Sequence, residues 1–234
     1  MVETDGLSPD LPPPPPPKYE FRPAAGRAQW FIRFAWLALV AEIVGTALIG
    51  MEISLLNRIE SGNYTDSEVE LNDTLVLVHS VAASAVFLIA LVVSYLWLYR
   101  VNKNSWVLRG AKMKFRPGWS VGWWFIPFAN LVQPYRIMCE LWRANIPGDE
   151  AEDWSTTTIP STILFWWLLT LGTNITGYLS GRLTLQAEAL SEHLLADGFY
   201  VASSLIGIAA WYMSIRLVRR IQAGQERLAM TSAF

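Results

Sequence analysis

Four long stretches of the chain are apolar and carry few charges. They run approximately over residues 30–53, 75–99, 159–180 and 199–217. A helix needs about 20 mostly apolar residues to cross the hydrocarbon core of a bilayer. The pattern therefore predicts an all-α integral membrane protein with four transmembrane helices, contained in a membrane domain of residues 27–222.

Polar segments flank this predicted domain. Residues 1–26 include six consecutive prolines, from Pro12 to Pro17. Such a sequence favours an extended, solvated conformation and buries little apolar area. We therefore predict a disordered, proline-rich tail at residues 1–26 and a second tail at residues 223–234.

Lysine and arginine are concentrated on one predicted side of the membrane. Four lie before or just inside the first window, eight lie between the second and third windows, and four follow from Arg216 onward, which makes sixteen of the eighteen. The two other connections hold only Arg58 and Arg182, among several acids. Because positive residues accumulate in cytoplasmic loops, we expect both termini and the long middle loop in the cytoplasm.

A tryptophan-rich segment without charge lies in the middle loop, from Gly118 to Gln133. If it crossed the membrane, the C-terminal arginines would face outward, so we expect it to enter and leave on the cytoplasmic side. Its apolar residues surround the helical wheel, which favours burial over a helix lying flat on the surface. A helix from Gly118 to Ile126 rises about 13 Å before Pro127 breaks it. We predict a re-entrant hairpin within residues 118–145, with an interfacial segment as the alternative.

The composition agrees with a membrane protein and offers no recognisable enzyme site. The chain is 53% hydrophobic and 16% charged, and it holds twelve tryptophans and eight tyrosines. Such aromatic rings collect at membrane interfaces. One cysteine and two distant histidines cannot form a disulfide or a Cys/His metal site, and no nucleotide-binding or hydrolase motif occurs. We therefore expect no enzymatic activity, no metal and no cofactor.

Glu42 is the sharpest candidate functional residue, because it lies near the middle of the first window. An ionised carboxylate at that depth costs about 2.5–3.5 kcal/mol on insertion scales, so it needs a partner or a proton. We expect a protonated Glu42 that hydrogen-bonds to the hairpin. The predicted intramembrane polar site comprises Glu42, Asn130, Gln133, Arg136 and Asn174. Two interpretations stay open: a structural tie, or a proton or cation site in a transport path.

Other polar residues have simpler interpretations. Arg136, Glu140 and Arg143 share one stripe of the hairpin's return limb. Ion pairs at i,i+3 and i,i+4 on a solvated edge explain them better than a functional site does. His79, near the outer end of the second window, is expected to be a hydrogen-bonded histidine at a helix interface.

Several short motifs occur together in the middle loop. They are Phe115–Trp119, Gly122–Pro127, Asn130-Leu131, Pro134-Tyr135 and Glu140–Ala144. Together they resemble the bacterial membrane-protein family catalogued as domain of unknown function 4328, over residues 100–145. The resemblance implies a multi-pass protein of the bacterial cell (inner) membrane and brings no activity. The residues that mark the re-entrant or interfacial motif are Pro117, Gly118, Trp119, Gly122, Trp123, Trp124, Pro127 and Pro134.

The two halves of the predicted domain are weakly similar to each other. The sequence from Val44 to Gly50 resembles that from Leu171 to Gly177, and the second and fourth windows share a Leu-Ile step before Tyr95 and Tyr212. Both halves would begin inside the cell. A two-plus-two parallel repeat about an axis along the membrane normal is therefore one interpretation.

Function is less constrained than topology. Without a catalytic constellation, we expect a non-catalytic membrane scaffold or binding module for a protein partner or lipid. A small transporter or channel that uses Glu42 is the alternative. The bilayer itself is a partner, with anionic headgroups at the cytoplasmic face bound by the basic run from Arg109 to Arg116. Pairs of small residues also fit a homo-oligomer or a membrane protein partner, whereas membrane orientation already explains the basic residues without nucleic acid.

Overall fold

The computed structural model describes residues 19–109, 113–146 and 153–231. Every regular element within these ranges is helical. The proline run lies outside the described residues, so the disordered tail stays a prediction there. Its last residues are ordered instead, since the first helix begins at Ala25 and the backbone of Arg22 is hydrogen-bonded to Asn104. The α-helices of the described ranges are α1 Ala25–Glu60, α2 Asp66–Arg109, α3 Pro117–Gly122, α4 Gln133–Asn145, α5 Ser161–Thr184 and α6 Leu190–Thr231.

Three of these helices, α1, α2 and α6, are long and apolar enough to cross a membrane, by length and composition. They contain the first, second and fourth predicted windows, so the prediction of an all-helical chain with membrane-type helices is confirmed. The third window falls on α5, which has 24 residues and is not among the three. Its tryptophans and its polar Thr173 and Asn174 lower its hydropathy. The fourth span therefore stays a prediction.

Helices α2 and α6 are longer than a bilayer is thick. Their 44 and 42 residues extend about 66 and 63 Å, against about 30 Å of hydrocarbon. Residues 223–231, which the sequence placed in a tail, continue α6 instead. Gln225 and Leu228 within that stretch are buried. Hydropathy missed this continuation because the buried face of the helix is partly polar.

The four long helices pack in the order α2, α1, α6, α5. Helix α1 contacts both α2 and α6, and α5 packs on the far side of α6. Helices α2 and α5 make no comparable contact with each other. A repeat with twofold symmetry would pair α2 with α5 as it pairs α1 with α6, so the packing of the described helices does not follow the symmetric arrangement.

The apolar core lies at one end of this bundle. At that end α4 packs against α2, α5 and α6. Large buried members of the core are Trp97, Val101, Ile137, Leu141, Ile163 and Ile221. By contrast, only 6% of the most apolar window of α2 is buried inside the protein. One end of the bundle is therefore closely packed, and the apolar surface of the rest faces outward.

A buried amide network joins the elements of the packed end. Gln225 of α6 donates from Nε2 to Oδ1 of Asn145 and to the carbonyl oxygen of Val101, both at 3.0 Å. Its Oε1 accepts from Nδ2 of Asn104 at 2.9 Å. The Asn104 side chain also exchanges two hydrogen bonds with the backbone of Arg22, just before α1. Since hydrogen bonds gain strength in a buried environment, the network holds α2, α4, α6 and the start of α1 in register.

Gly224 lets α4 approach α6 closely. A Cβ atom at Gly224 would overlap the carbonyl oxygen of Asn145. That oxygen belongs to the backbone, so it cannot rotate away as the end of a side chain would. The contact therefore requires a glycine at this position.

Replacing Gly224 with alanine should destabilise the fold by about 1–3 kcal/mol, because the added methyl group forces α4 and α6 apart. Gly50→Ala in α1 is the matched control, since a Cβ there meets nothing within 4 Å. Thermal unfolding of the full chain in detergent should give a lower Tm for Gly224→Ala alone. Equal Tm values for the two variants would contradict this account of the contact.

Candidate functional site

A cavity of about 580 Å³ lies between the four long helices, away from the end of the bundle that α4 fills. All four long helices contribute to its lining. Most of the wall is apolar or small, with Ala38, Ala83, Phe87, Gly177, Gly181 and Trp211. The polar residues of the wall are Glu42, His79, Ser180, Thr184, Tyr200, Ser203 and Ser204. The arrangement suits a ligand with an apolar body and a polar group.

Glu42 lies in this cavity and is bonded through hydroxyl groups. The hydroxyl of Ser204 in α6 is 2.8 Å from Oε2 of Glu42, to which it donates. The hydroxyl of Thr46 lies 2.8 Å from Ser204 Oγ and 2.8 Å from the carbonyl oxygen of Glu42. Among the described residues, no hydrogen bond to Oε1 of Glu42 is found. One carboxylate oxygen is therefore held by α6, and the other is available to a ligand.

His79 and Tyr200 complete the polar part of the cavity. Nε2 of His79 donates to the carbonyl oxygen of Ala41 at 2.9 Å. A Cβ at Gly45 would overlap the Tyr200 hydroxyl and approach Cε1 of the His79 ring to 2.7 Å. The glycine thus lets two polar side chains from other helices lie against α1, one turn from Glu42. His79 is therefore a hydrogen-bonded histidine at a helix interface, as the sequence predicted.

Glu42 does not meet the hairpin, contrary to the sequence-based expectation. Glu42 lies level with His79 of α2, since both line the same cavity. The hairpin rings of Trp124 and Phe125 instead contact Tyr95 of α2, at 5.7 and 5.4 Å between centroids. Sixteen residues of helix separate His79 from Tyr95, or about 24 Å. The sequence gives depth only by counting residues along each helix separately, and such counts do not show how the helices are aligned with one another.

The other predicted members of the polar site are dispersed. Asn174 is exposed on α5 and donates to the carbonyl oxygen of Thr170 in its own helix at 2.7 Å. Asn130 and Gln133 are half-buried in the hairpin, and Arg136 is exposed on α4. None of these four hydrogen-bonds to Glu42 within the described ranges. The residues that do surround Glu42, above all Ser204, were missed because a lone serine in an apolar window carries little signal.

The tryptophan hairpin runs along α2 and then returns beside α5. At its start, Nε1 of Trp106 donates to the carbonyl oxygen of Phe115 at 2.9 Å. At its far end the rings reach Tyr95, eleven residues or about 16 Å further along α2. On the return, Nε1 of Trp167 in α5 donates to the carbonyl oxygen of Leu131 at 2.9 Å. The hairpin thereby occupies the space between α2 and α5 at the packed end.

The hairpin is less regular than one helix broken at a proline. Its descending limb is α3 followed by a 3₁₀ turn at Trp123–Phe125, and a second 3₁₀ turn covers Ala129–Leu131. Between them Phe128 has φ of 63°, in the left-handed region that non-glycine residues rarely adopt. The sequence placed the turn near Pro127, and the chain reverses there.

The motif residues have distinct structural roles. Pro117 and Pro134 are buried in the first turns of α3 and α4, where the missing N–H leaves no hydrogen bond unmade. A Cβ at Gly122 would lie 3.1 Å from the ring of Trp119 in the preceding turn. At Gly118 nothing lies within 4 Å of such a Cβ. Within the described chain, neither glycine therefore lies against another helix at its Cα.

Glu140 fixes the beginning of the hairpin. The residue is 7% exposed, and its carboxylate accepts hydrogen bonds from the backbone N–H groups of Lys114 at 2.5 Å and Phe115 at 3.1 Å. Burial raises the pKa of the Glu140 carboxyl, and the two N–H donors oppose that rise. Arg143 donates instead to the carbonyl oxygen of Thr157 at 3.0 Å. The predicted ion-pair stripe is therefore wrong, because its central acid binds backbone.

Ser204→Ala should destabilise the protein by about 1–3 kcal/mol, because Oε2 of Glu42 loses its donor in a buried setting. Ser94→Ala is the matched control, since that hydroxyl donates only to the carbonyl oxygen of Leu91 in its own helix at 2.7 Å. Unfolding of the full chain in detergent should separate the two variants by Tm. A Ser204→Ala variant as stable as the control would mean that the Ser204 contact contributes nothing.

Comparison with known proteins gives a family and no activity. Residues 60–223 match the family described as a domain of unknown function, DUF4328. The matched segment includes α2, the hairpin, α4, α5 and most of α6. No curated protein and no solved structure matches the chain. Because the family match covers well over half of the 234 residues, the protein belongs to the DUF4328 family.

Proposed function

We propose that this protein is a four-span protein of a bacterial cell membrane and serves as a non-catalytic binding module. Its ligand is a lipid or lipid-like amphiphile that enters the Glu42 cavity. The observation that carries the proposal is the cavity itself, which combines a mostly apolar wall with one carboxylate oxygen left available.

The properties of α5 support its place as the fourth span. Its 24 residues extend about 36 Å, enough for the hydrocarbon core. Four of its polar side chains form hydrogen bonds within the helix. Each donates to the carbonyl oxygen four residues earlier, and they are Thr170, Thr173, Asn174 and Thr176. A polar side chain that is hydrogen-bonded in this way adds little to the free energy of inserting the helix into lipid. Four spans also keep sixteen of the eighteen basic residues on one side.

The hairpin fits a shallow insertion from the cytoplasmic side. Its far end lies at Tyr95, five residues or about 8 Å beyond Arg100 on α2, which is shallower than the 13 Å expected from an unbroken helix. Side chains at this end are strongly exposed, with Phe125 at 67% and Phe128 at 85%. Exposed aromatic rings in a segment without charge favour contact with the lipid interface.

Cysteine labelling tests this topology. In a Cys139→Ala background, a cysteine at Gly118 or Phe128 should resist a membrane-impermeant thiol reagent added to intact cells, because both sites are cytoplasmic or within the lipid. A cysteine at Asn63, in the α1–α2 connection, should be labelled and serves as the control. Labelling of Gly118→Cys from outside would overturn the orientation, and no labelling of Asn63→Cys would overturn the assignment of that connection to the exterior.

The closed end of the bundle favours binding over transport. The cavity reaches Phe87 and Trp211, whose rings are in edge contact at 6.3 Å between centroids. Beyond them lies the apolar core that α4 and the hairpin fill. A transporter or channel using Glu42 is the second candidate, supported by the position of the acid in the first window. It would require this core to open.

Filling the cavity should exclude the ligand. Gly181 lines the cavity and a Cβ there meets nothing within 4 Å, so Gly181→Leu should occupy the space without disturbing the fold. We expect lipids and small molecules that co-purify with the wild-type protein from native membranes to fall about two- to tenfold in Gly181→Leu and in Glu42→Gln, since losing one hydrogen bond costs about 0.5–1.5 kcal/mol.

Gly50→Leu is the matched control, because it adds the same bulk at an open position on α1 outside the cavity. Mass spectrometry should find its bound molecules unchanged. Identical bound molecules in all four proteins would refute the cavity as the binding site. Ion flux into liposomes that depends on Glu42 would favour the transporter instead.

A further inference from the structure

A second cavity, of about 210 Å³, lies between α4, α5 and α6 at the packed end. At about 30 Å³ for each water molecule it has room for about seven, enough for a phosphate group with part of its substituent. Its lining includes two arginines, three aromatic rings and a threonine: Arg216, Arg220, Tyr212, Trp142, Trp166 and Thr162. We propose that this cavity binds the phosphate headgroup of an anionic phospholipid of the cytoplasmic leaflet.

The two arginines supply positive charge that no described acid neutralises. The hydrogen bond and the ring contact found for Arg216 among the described residues lie within its own helix, with Nη1 3.3 Å from the hydroxyl oxygen of Tyr212 and the guanidinium 5.8 Å from that ring's centroid. The salt bridges within the described ranges involve other arginines, Arg22 and Arg58. Arg216 and Arg220 lie one helical turn apart and are both exposed. Their planar guanidinium groups can each donate two hydrogen bonds to phosphate oxygens.

The start of α5 adds to this positive potential. Thr162 is the second residue of α5, a helix of 24 residues. The first N–H groups of a helix have no partner inside it, and the helix dipole favours an anion at that end. Nε1 of Trp166 donates to the hydroxyl of Ser214 at 2.8 Å. That bond holds the start of α5 beside the turn of α6 that carries Arg216.

The surroundings favour a lipid over a free phosphate. The arginines come where the fourth apolar window ends, which is the expected level of the cytoplasmic headgroups. Trp142 and Trp166 form buried parts of the cavity wall, and tryptophan is enriched at this depth. Next to the cavity, α5 exposes Leu164, Phe165 and Leu168. A headgroup held by the arginines can therefore extend its acyl chain along an apolar surface.

The proposed lipid site is separate from the Glu42 cavity. It depends on the proposed cytoplasmic position of the start of α5, and it involves none of the residues around Glu42. Failure of one site in its own binding experiment therefore leaves the other unaffected.

Native mass spectrometry of the full chain in detergent tests the site. Titration with phosphatidylglycerol should give a one-lipid adduct at lower concentration than titration with phosphatidylcholine. Arg216→Gln with Arg220→Gln should weaken phosphatidylglycerol binding about 10- to 30-fold, from about 1 kcal/mol for each charge near the surface. The matched control, Arg219→Gln with Arg227→Gln, removes two exposed arginines of the same helix outside the cavity and should change binding less than about threefold.

Three outcomes would overturn the proposal. Equal losses in the two double variants would indicate general attraction of anionic lipid, and equal binding of the two lipids would remove the headgroup preference. Displacement of phosphatidylglycerol by the same concentration of inorganic phosphate would make the cavity a phosphate site. If the double variant fails to fold, Arg220→Gln alone replaces it, with about a fivefold loss expected against Arg219→Gln.

Discussion

The contact between Gly224 and the backbone of Asn145 allows α4 to lie directly against α6. From there α4 and the tryptophan hairpin fill the space between α2 and α5, which make no contact with each other comparable to those of the other long helices. They fill it at one end only. The position of α4 therefore accounts for both features. The four long helices enclose a dense core at the end that α4 fills, and they leave the cavity with Glu42 at the end that α4 does not reach.

The broad architecture could be predicted from the chain because it depends on hydropathy and on proline. Apolar windows located α1, α2 and α6, and Pro127 indicated where the hairpin turns. These features are local, so no knowledge of the alignment between helices is needed to find them.

The partners of the polar residues could not be predicted in the same way. Glu42 binds Ser204, which is 162 residues away, and the alignment of α1 with α6 that joins them is set by packing. Glu140 was grouped with arginines by helical periodicity, but its carboxylate binds backbone N–H groups, which every sequence contains. Residues 223–231 were placed in a tail because hydropathy does not distinguish a glutamine in a buried network from one in water.

The composition of the amide network around Gln225 has a consequence for the packed end. The side chains of Gln225, Asn145 and Asn104 are amides, none of which gains or loses a proton at cellular pH. Salt screens interactions between charges, whereas these bonds are short-ranged, buried and neutral. The joint between α2, α4 and α6 is therefore insensitive to changes in pH near neutrality or in ionic strength, whereas the exposed arginines beside it on α6 attract anions more weakly as the salt concentration rises.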